Sequence, residues 1–325
     1  MRTSDVLPMI HEAAGRVYSV VRETPLVPLP ANGQTLGAAQ PPVSAMAYAK
    51  LEQLQITGSF KLRGATNKLM SLSPQEAAAG VITSSTGNHG LGVAAAAKVL
   101  GIDAEVFLSS QVSQAKQDKI LKQGARIRLI GDDPLAAEVA AREAAVKTGR
   151  SYVSPYNDPH VVAGQGTVAV ELLRQLPDLD AIFIATGGGG LISGIGTLLH
   201  AQAPRAEVIG CWPQNSAVLY ECLKAGRIIE APELPTLSES TAGGVEEGSI
   251  TFDLCREVMH HGVLVTEDEI LSAMRWGHAQ GWAMEGAGGV ALAAYFKEAQ
   301  RYAGGKVVVL ICGGNPSPAV RELLG

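Results

Sequence analysis

The chain has 325 residues, of which 46% are apolar and 18% charged, a length that suits two domains with sizeable cores rather than one. The formal net charge of −5 comes without a basic block or a long acidic tail, which excludes a nucleic-acid or membrane-surface role driven by charge. The four cysteines, Cys211, Cys222, Cys255 and Cys312, form no C-x-x-C pair. Neither a zinc site nor a disulfide framework is expected, and a reducing, cytoplasmic location is.

Residues 1–10 contain no apolar signal core. From there, short runs rich in β-branched residues alternate with longer Ala-rich runs. The pattern predicts a helix over 59–69, with Ser59 as N-cap, a strand over 80–84 and a helix over 90–100. A strand at 104–108, a helix at 114–123, a strand at 126–130 and a helix at 134–148 come next. Then come a helix at 164–175, a strand at 181–185, a helix at 191–201 and strands at 207–211 and 262–265. A helix at 266–280 and a strand at 306–312 close the series. The uncharged run 181–200 is long enough to span a bilayer, but Gly187, Gly188, Gly189, Gly190, Gly194 and Gly196 would break such a helix. Strand, loop and buried helix is the expected reading.

This alternation implies right-handed crossovers and parallel sheets. The expected fold is α/β with two domains, each an open, twisted, mostly parallel sheet flanked by helices. Residues 80–157 would form a small domain inserted in a large one made of 1–79 and 158–325. Chemistry in such folds sits at the carboxyl ends of strands, which directs attention to three loops.

The first is Thr57-Gly58-Ser59-Phe60-Lys61-Leu62-Arg63-Gly64-Ala65. It places Lys61 in the first turn of a helix, where the dipole disfavours a cation. Burial would lower its pKa further and leave a nucleophilic amine; an ordinary solvated lysine is the alternative. The second is Ser84-Ser85-Thr86-Gly87-Asn88-His89-Gly90, either a carboxylate site at a helix N-terminus or a capped turn. The third is Thr186-Gly187-Gly188-Gly189-Gly190-Leu191. Its glycines would let backbone N–H groups approach a phosphate, but it lacks the NTPase lysine and the dinucleotide spacing. A phosphate monoester suits it better.

Taken in order, these loops, with Thr24-Pro25-Leu26, Ala163-Gly164-Gln165-Gly166-Thr167 and Cys312-Gly313-Gly314-Asn315, resemble the fold-type II pyridoxal-phosphate (PLP) enzymes. Within them the chain is similar to the threonine/serine dehydratase and serine racemase group. The resemblance covers nearly the whole chain and implies a tryptophan synthase β-like fold, PLP as cofactor, a small amino-acid substrate and a homodimer. It implies that Lys61 is the Schiff-base lysine and Cα base, with Phe60 beside the ring and Asn88 on the ring oxygen. Gly187, Gly188, Gly189, Gly190 and Leu191 would hold the phosphate, and Cys312 would face the pyridine nitrogen. Ser85, Thr86, Asn88, His89 and Gly244 would surround the substrate, Thr86 also serving catalysis. A neutral thiol at Cys312 makes the ring a weaker electron sink, which favours prompt loss of a β-substituent. The implied reaction is β-elimination of a β-hydroxy amino acid such as L-threonine or L-serine to a 2-oxo acid and ammonia.

The chain departs from the group in places. Thr86 stands where racemases carry a serine, so racemisation ranks below dehydration. Trp212 and Val218 replace oxygen ligands of a divalent-cation stretch, and no metal is expected. Gly243 lacks an aspartate and Glu285-Gly286 a proline, suggesting a roomier pocket. A bulkier 3-hydroxy amino acid, such as phenylserine or a product of hydroxyectoine breakdown, is therefore an alternative substrate. Serine racemisation with side dehydration and a non-catalytic phosphorylated-ligand binder are the other readings. The chain stops soon after Asn315, without the regulatory domain of biosynthetic dehydratases, so a catabolic or unregulated enzyme is expected.

Overall fold

The computed structural model describes residues 1–30 and 46–324. Among the described residues, ten strands fall into two sheets. The larger has the order β1-β2-β10-β7-β8-β9, made of β1 (Leu26–Pro28), β2 (Met46–Leu51), β10 (Lys306–Ile311), β7 (Ala181–Ala185), β8 (Glu207–Pro213) and β9 (His261–Val265). Only the β1–β2 pair is antiparallel. The smaller sheet, all parallel, has the order β5-β4-β3-β6, made of β5 (Arg126–Leu129), β4 (Ala104–Leu108), β3 (Val81–Ser84) and β6 (Ser151–Tyr152).

The central strands explain why this arrangement holds. All of Ala181–Ala185 and five of the six residues of Lys306–Ile311 are buried. Such strands read as unbroken apolar runs because helices cover both their faces. That is the fate of the uncharged 181–200 run: strand β7, a glycine loop and helix Gly190–Gln202. Among the described residues, no helix is long and apolar enough to cross a membrane.

Three strands were missed in the sequence. β1 and β6 have three and two residues, too few for a period-2 signal, and β2 has one buried flank bearing a lysine. The expected N-cap at Ser59 is also corrected. Helix Lys61–Met70 begins from Phe60, which has helical φ and ψ and makes no side-chain cap bond. Ser59 instead forms an isolated bridge with Gly313, and its hydroxyl has no partner. Helix Pro159–Gln175 begins five residues before the predicted start of 164, because Asp158 caps it by accepting from the His160 and Val161 N–H groups.

One close helix crossing positions the lysine. A Cβ on Gly64 would lie 2.8 Å from the Val161 carbonyl oxygen, and one on Gly164 would lie 2.6 Å from the Arg63 carbonyl oxygen. Glycine at both positions lets helix Lys61–Met70 press directly onto helix Pro159–Gln175. The carboxyl ends of β10, β7 and β3 are then continued by Cys312, Thr186 and Ser85, the starts of three candidate segments.

Candidate active site

Lys61 is the first residue of its helix and is partly covered. Its Nζ donates to the Pro155 carbonyl at 2.8 Å and lies 5.1 Å from the centre of the Phe60 ring. Burial lowers its pKa to about 8, against the opposing pull of Cys312 and Glu285. At neutral pH roughly a tenth of such amines are uncharged, against about one in 3,000 for an ordinary lysine.

The segment ending in Cys312 lies alongside the lysine loop. The Phe60 N–H donates to the Cys312 carbonyl at 3.1 Å, and the Gly314 N–H to that of Gly58 at 2.9 Å. The Cys312 thiol is buried, and burial together with the nearby Glu285 carboxyl raises its pKa well above the usual thiol range. It is a neutral thiol at any working pH.

Beneath Lys61 lies a group of four fully buried charges. The Arg63 guanidinium holds Glu52 through two bonds of 2.8 Å and reaches Glu171 at 2.5 Å. Lys50 closes the set on Glu171 at 2.6 Å.

In the second loop, helix Asn88–Leu100 starts two residues before the expected 90. Ser85 accepts from the Gly87 N–H at 3.2 Å, and the Thr86 hydroxyl has no partner among the described residues. Asn88 is held by both ends of its amide. It donates to the two Glu285 oxygens at 3.0 and 2.8 Å and accepts from Asn315 at 2.8 Å. Glu285 also accepts from the Ser240 hydroxyl at 2.8 Å and the Asn315 N–H at 3.2 Å.

His89, expected around the substrate carboxylate, does not offer its ring there. Its ring is buried and its Nε2 lies 3.0 Å from the Val153 carbonyl. Burial, reinforced by Lys61, lowers its pKa to about 3. It is a neutral ring packed inward, so only its backbone N–H, second in the helix, remains available to an anion.

In the third loop, Gly189 adopts φ +83° just before helix Gly190–Gln202. A Cβ on Gly188 would sit 2.5 Å from the Tyr156 ring. Glycine is thus required there by an aromatic neighbour as well as by any phosphate. None of the backbone N–H groups from Gly187 to Leu191 has a partner among the described residues. Unpaired donors at a helix N-terminus make an anion cradle. On the remaining flank, Gly243 and Gly244 are exposed and have no neighbour within 4 Å of a built Cβ.

Pro155 and Tyr156 bring these parts together. One accepts from Lys61 and the next packs on the glycine loop, so consecutive residues place amine and cradle in one site. A covered amine of lowered pKa, a row of free N–H groups, a neutral thiol and a fixed carboxamide fit PLP. Sequence reasoning missed Pro155, Tyr156, Ser240 and the role of Glu285. Ser154-Pro155-Tyr156-Asn157-Asp158-Pro159 does carry a turn signature after a strand, but what it contributes is a carbonyl oxygen and a ring, neither marked by residue chemistry.

The lowered lysine gives a signed expectation. Cofactor-free protein should take up PLP about tenfold faster per pH unit up to pH 8, where the curve levels off, because only the neutral amine reacts. Visible absorbance after rapid mixing, from about pH 6.5 to about 9.5, checks this. A midpoint near that of a free lysine would overturn it.

The family model described as "Pyridoxal-phosphate dependent enzyme" matches residues 17–313. The L-threonine ammonia-lyase of Thermotoga maritima is 39% identical over 269 residues, 82% of this chain and 67% of that protein. Among solved structures, threonine deaminase isoform 2 from Solanum lycopersicum superposes with a TM-score of 0.90 at 32% identity, covering 99% of this chain and 94% of that one. Maize serine racemase superposes with a TM-score of 0.88 at 27% identity, covering 97% and 95%.

Proposed function

The chain belongs to the pyridoxal-phosphate-dependent enzyme family, and from that premise we propose that it is an ammonia-lyase. It would convert a β-hydroxy amino acid of the threonine or serine kind into a 2-oxo acid and ammonia. The observation that carries this is the convergence of the Lys61 amine and the unpaired Gly187–Leu191 N–H groups through Pro155 and Tyr156. Likeness to an L-threonine ammonia-lyase and a threonine deaminase supports the substrate class.

PLP, when bound, supplies the electron sink that makes the Cα proton of an amino acid removable. The protein selects among the reactions this opens. The N–H groups at the start of helix Asn88–Leu100, with the Ser85 and Thr86 hydroxyls, hold the substrate carboxylate. Lys61, having anchored the cofactor, takes the Cα proton at Nζ, for which its lowered pKa suits it. Phe60 and Asn88 flank the ring, and Glu285 and Asn315 fix the Asn88 amide. Cys312 offers a protonated thiol where a carboxylate would hold a proton on the ring, so loss of the β-hydroxyl is favoured over a long-lived carbanion. Gly244 belongs to the substrate side. We assign residues 80–157 to a small domain, with 1–79 and 158–325 as the large one, and place the enzyme in the cytoplasm as a homodimer.

The test is an assay of 2-oxo acid and ammonia across L-threonine, L-serine, phenylserine and hydroxyectoine-derived 3-hydroxy amino acids. Release of the two products in equal amounts is expected, with L-threonine or L-serine turned over. No release from any of them sinks the proposal, and inversion of serine without release points to racemisation instead.

A further inference from the structure

The substrate-side loop 242–248 contains Gly243 at φ +118° and Gly248 at φ +72°, and neither these two nor Gly244 has any atom within 4 Å of a built Cβ. No packing fixes these glycines; Val245 between them rests on the core, and the rest of the loop is positioned by a few polar attachments. One runs to its own flank, from the Gly243 N–H to Glu233 at 2.8 Å. The others reach toward the smaller sheet. The Glu246 N–H donates to the Tyr156 hydroxyl at 3.0 Å, and the Ile250 N–H to Asn157 at 2.9 Å. The Glu246 carboxylate meets Arg142 at 2.9 Å.

Arg142 lies on helix Pro134–Thr148, which packs against β3, β4 and β6. Its guanidinium is already held by Glu138 at 2.8 Å and lies 4.5 Å over the Tyr152 ring. It therefore presents a fixed cation, and Glu246 is the arm that reaches for it. We propose that Arg142 and Glu246 form a clasp that holds the 242–248 loop across the cleft between the two sheets, placing Gly244 for substrate. They are positioning residues, and the clasp governs substrate affinity rather than the chemical step. The inference rests on the reading of this loop as the substrate side of a β-hydroxy amino-acid site.

Both side chains remain partly exposed, at 39% and 29%, so the effect is modest and salt-sensitive. The holoenzyme variants Glu246→Gln and Arg142→Gln are each expected to raise KM about fivefold with kcat unchanged. The double variant should be no worse than either single one, and the exchanged pair Arg142→Glu with Glu246→Arg should recover part of the loss. Hydrogen exchange of the 242–248 amides supplies a readout independent of activity: it should quicken in both single variants and no further in the double. Additive KM effects, or unchanged exchange in the single variants, overturn the clasp. If the wild-type protein turns over no hydroxy amino acid, the proposed activity fails, and exchange alone still decides the clasp.

Discussion

Lys61→Ala is expected to abolish turnover while leaving the folded protein at least as stable as the wild type without cofactor. The activity loss should reach at least about 10³-fold, because one change removes both the covalent anchor and the general base. Arginine should not substitute, since it stays protonated throughout the working range. The stability half is a matter of sign. The folded pKa of Lys61 is about 8, below its unfolded value of 10.5. Between those values the unfolded chain binds more protons, so wild-type stability rises with pH through that window, and burying the cation is a cost below it. Lys61→Ala removes that cost along with the bond to Pro155. Urea unfolding of both cofactor-free proteins at neutral pH and at about pH 10 separates the effects. On going to high pH the wild type should gain stability relative to the variant, since Lys50 and the buried tyrosines titrate alike in both. A variant much less stable than the wild type at neutral pH would show Lys61 to be a structural group.

Legibility in the sequence depends on where along the chain the information lies. Strands β4 and β7 were legible to the residue, because burial on both faces writes itself as a short, largely apolar run, interrupted in β4 only by Glu105. Lys61 and the four glycines were legible as a motif, since a covered amine and a bare backbone each need one residue type. His89 was legible as a member of the anion-binding loop, but the sequence does not say which way its ring turns. It turned to the Val153 carbonyl. Ser59 misled: it is a good cap former, but its backbone was taken by pairing with Gly313, a contact 254 residues away. Glu285 was noticed only for the proline it lacks. Its role depends on Asn88, Ser240 and Asn315 meeting in space, and pairwise meetings of that kind are not written locally.

The same limit applies to the buried charges beneath the lysine, where the second large effect is expected. Arg63→Leu should destabilise the protein by about 3–5 kcal/mol, because it strands a buried negative charge. Arg63, Lys50, Glu52 and Glu171 are all fully buried and sum to zero charge. Besides the ion pairs, Lys50 donates to the Thr24 carbonyl and Gln175, and Glu171 accepts from the Tyr18 hydroxyl and the Thr24 N–H. These bonds tie the Lys61 helix to helix Pro159–Gln175 and to the chain around Thr24. Removing Arg63 leaves two carboxylates facing one lysine. In the wild type, burial pushes Glu171 up, but Arg63 and then Lys50 more than reverse it, leaving its pKa below the usual carboxylate range. Without Arg63, Glu171 keeps Lys50 but loses the larger of the two pulls that offset its burial, so its pKa rises from its wild-type position and it binds a proton more readily on folding. Relative to the wild type, a folded pKa raised in this way adds stability as pH falls. The variant's deficit should therefore be greatest near neutral pH and shrink on acidification toward about pH 5. Arg63→Lys, which keeps the charge but loses the two-pronged hold on Glu52, should fall between the wild type and the leucine variant. Because Arg63 lies two residues after Lys61 on the same helix, PLP retention should weaken in the same order. Urea unfolding at the two pH values measures the deficit, and visible absorbance after dialysis measures retention. A deficit below about 1 kcal/mol, the size of an exposed pair, or one that grows with acid, would mean that the four charges do not anchor the lysine helix.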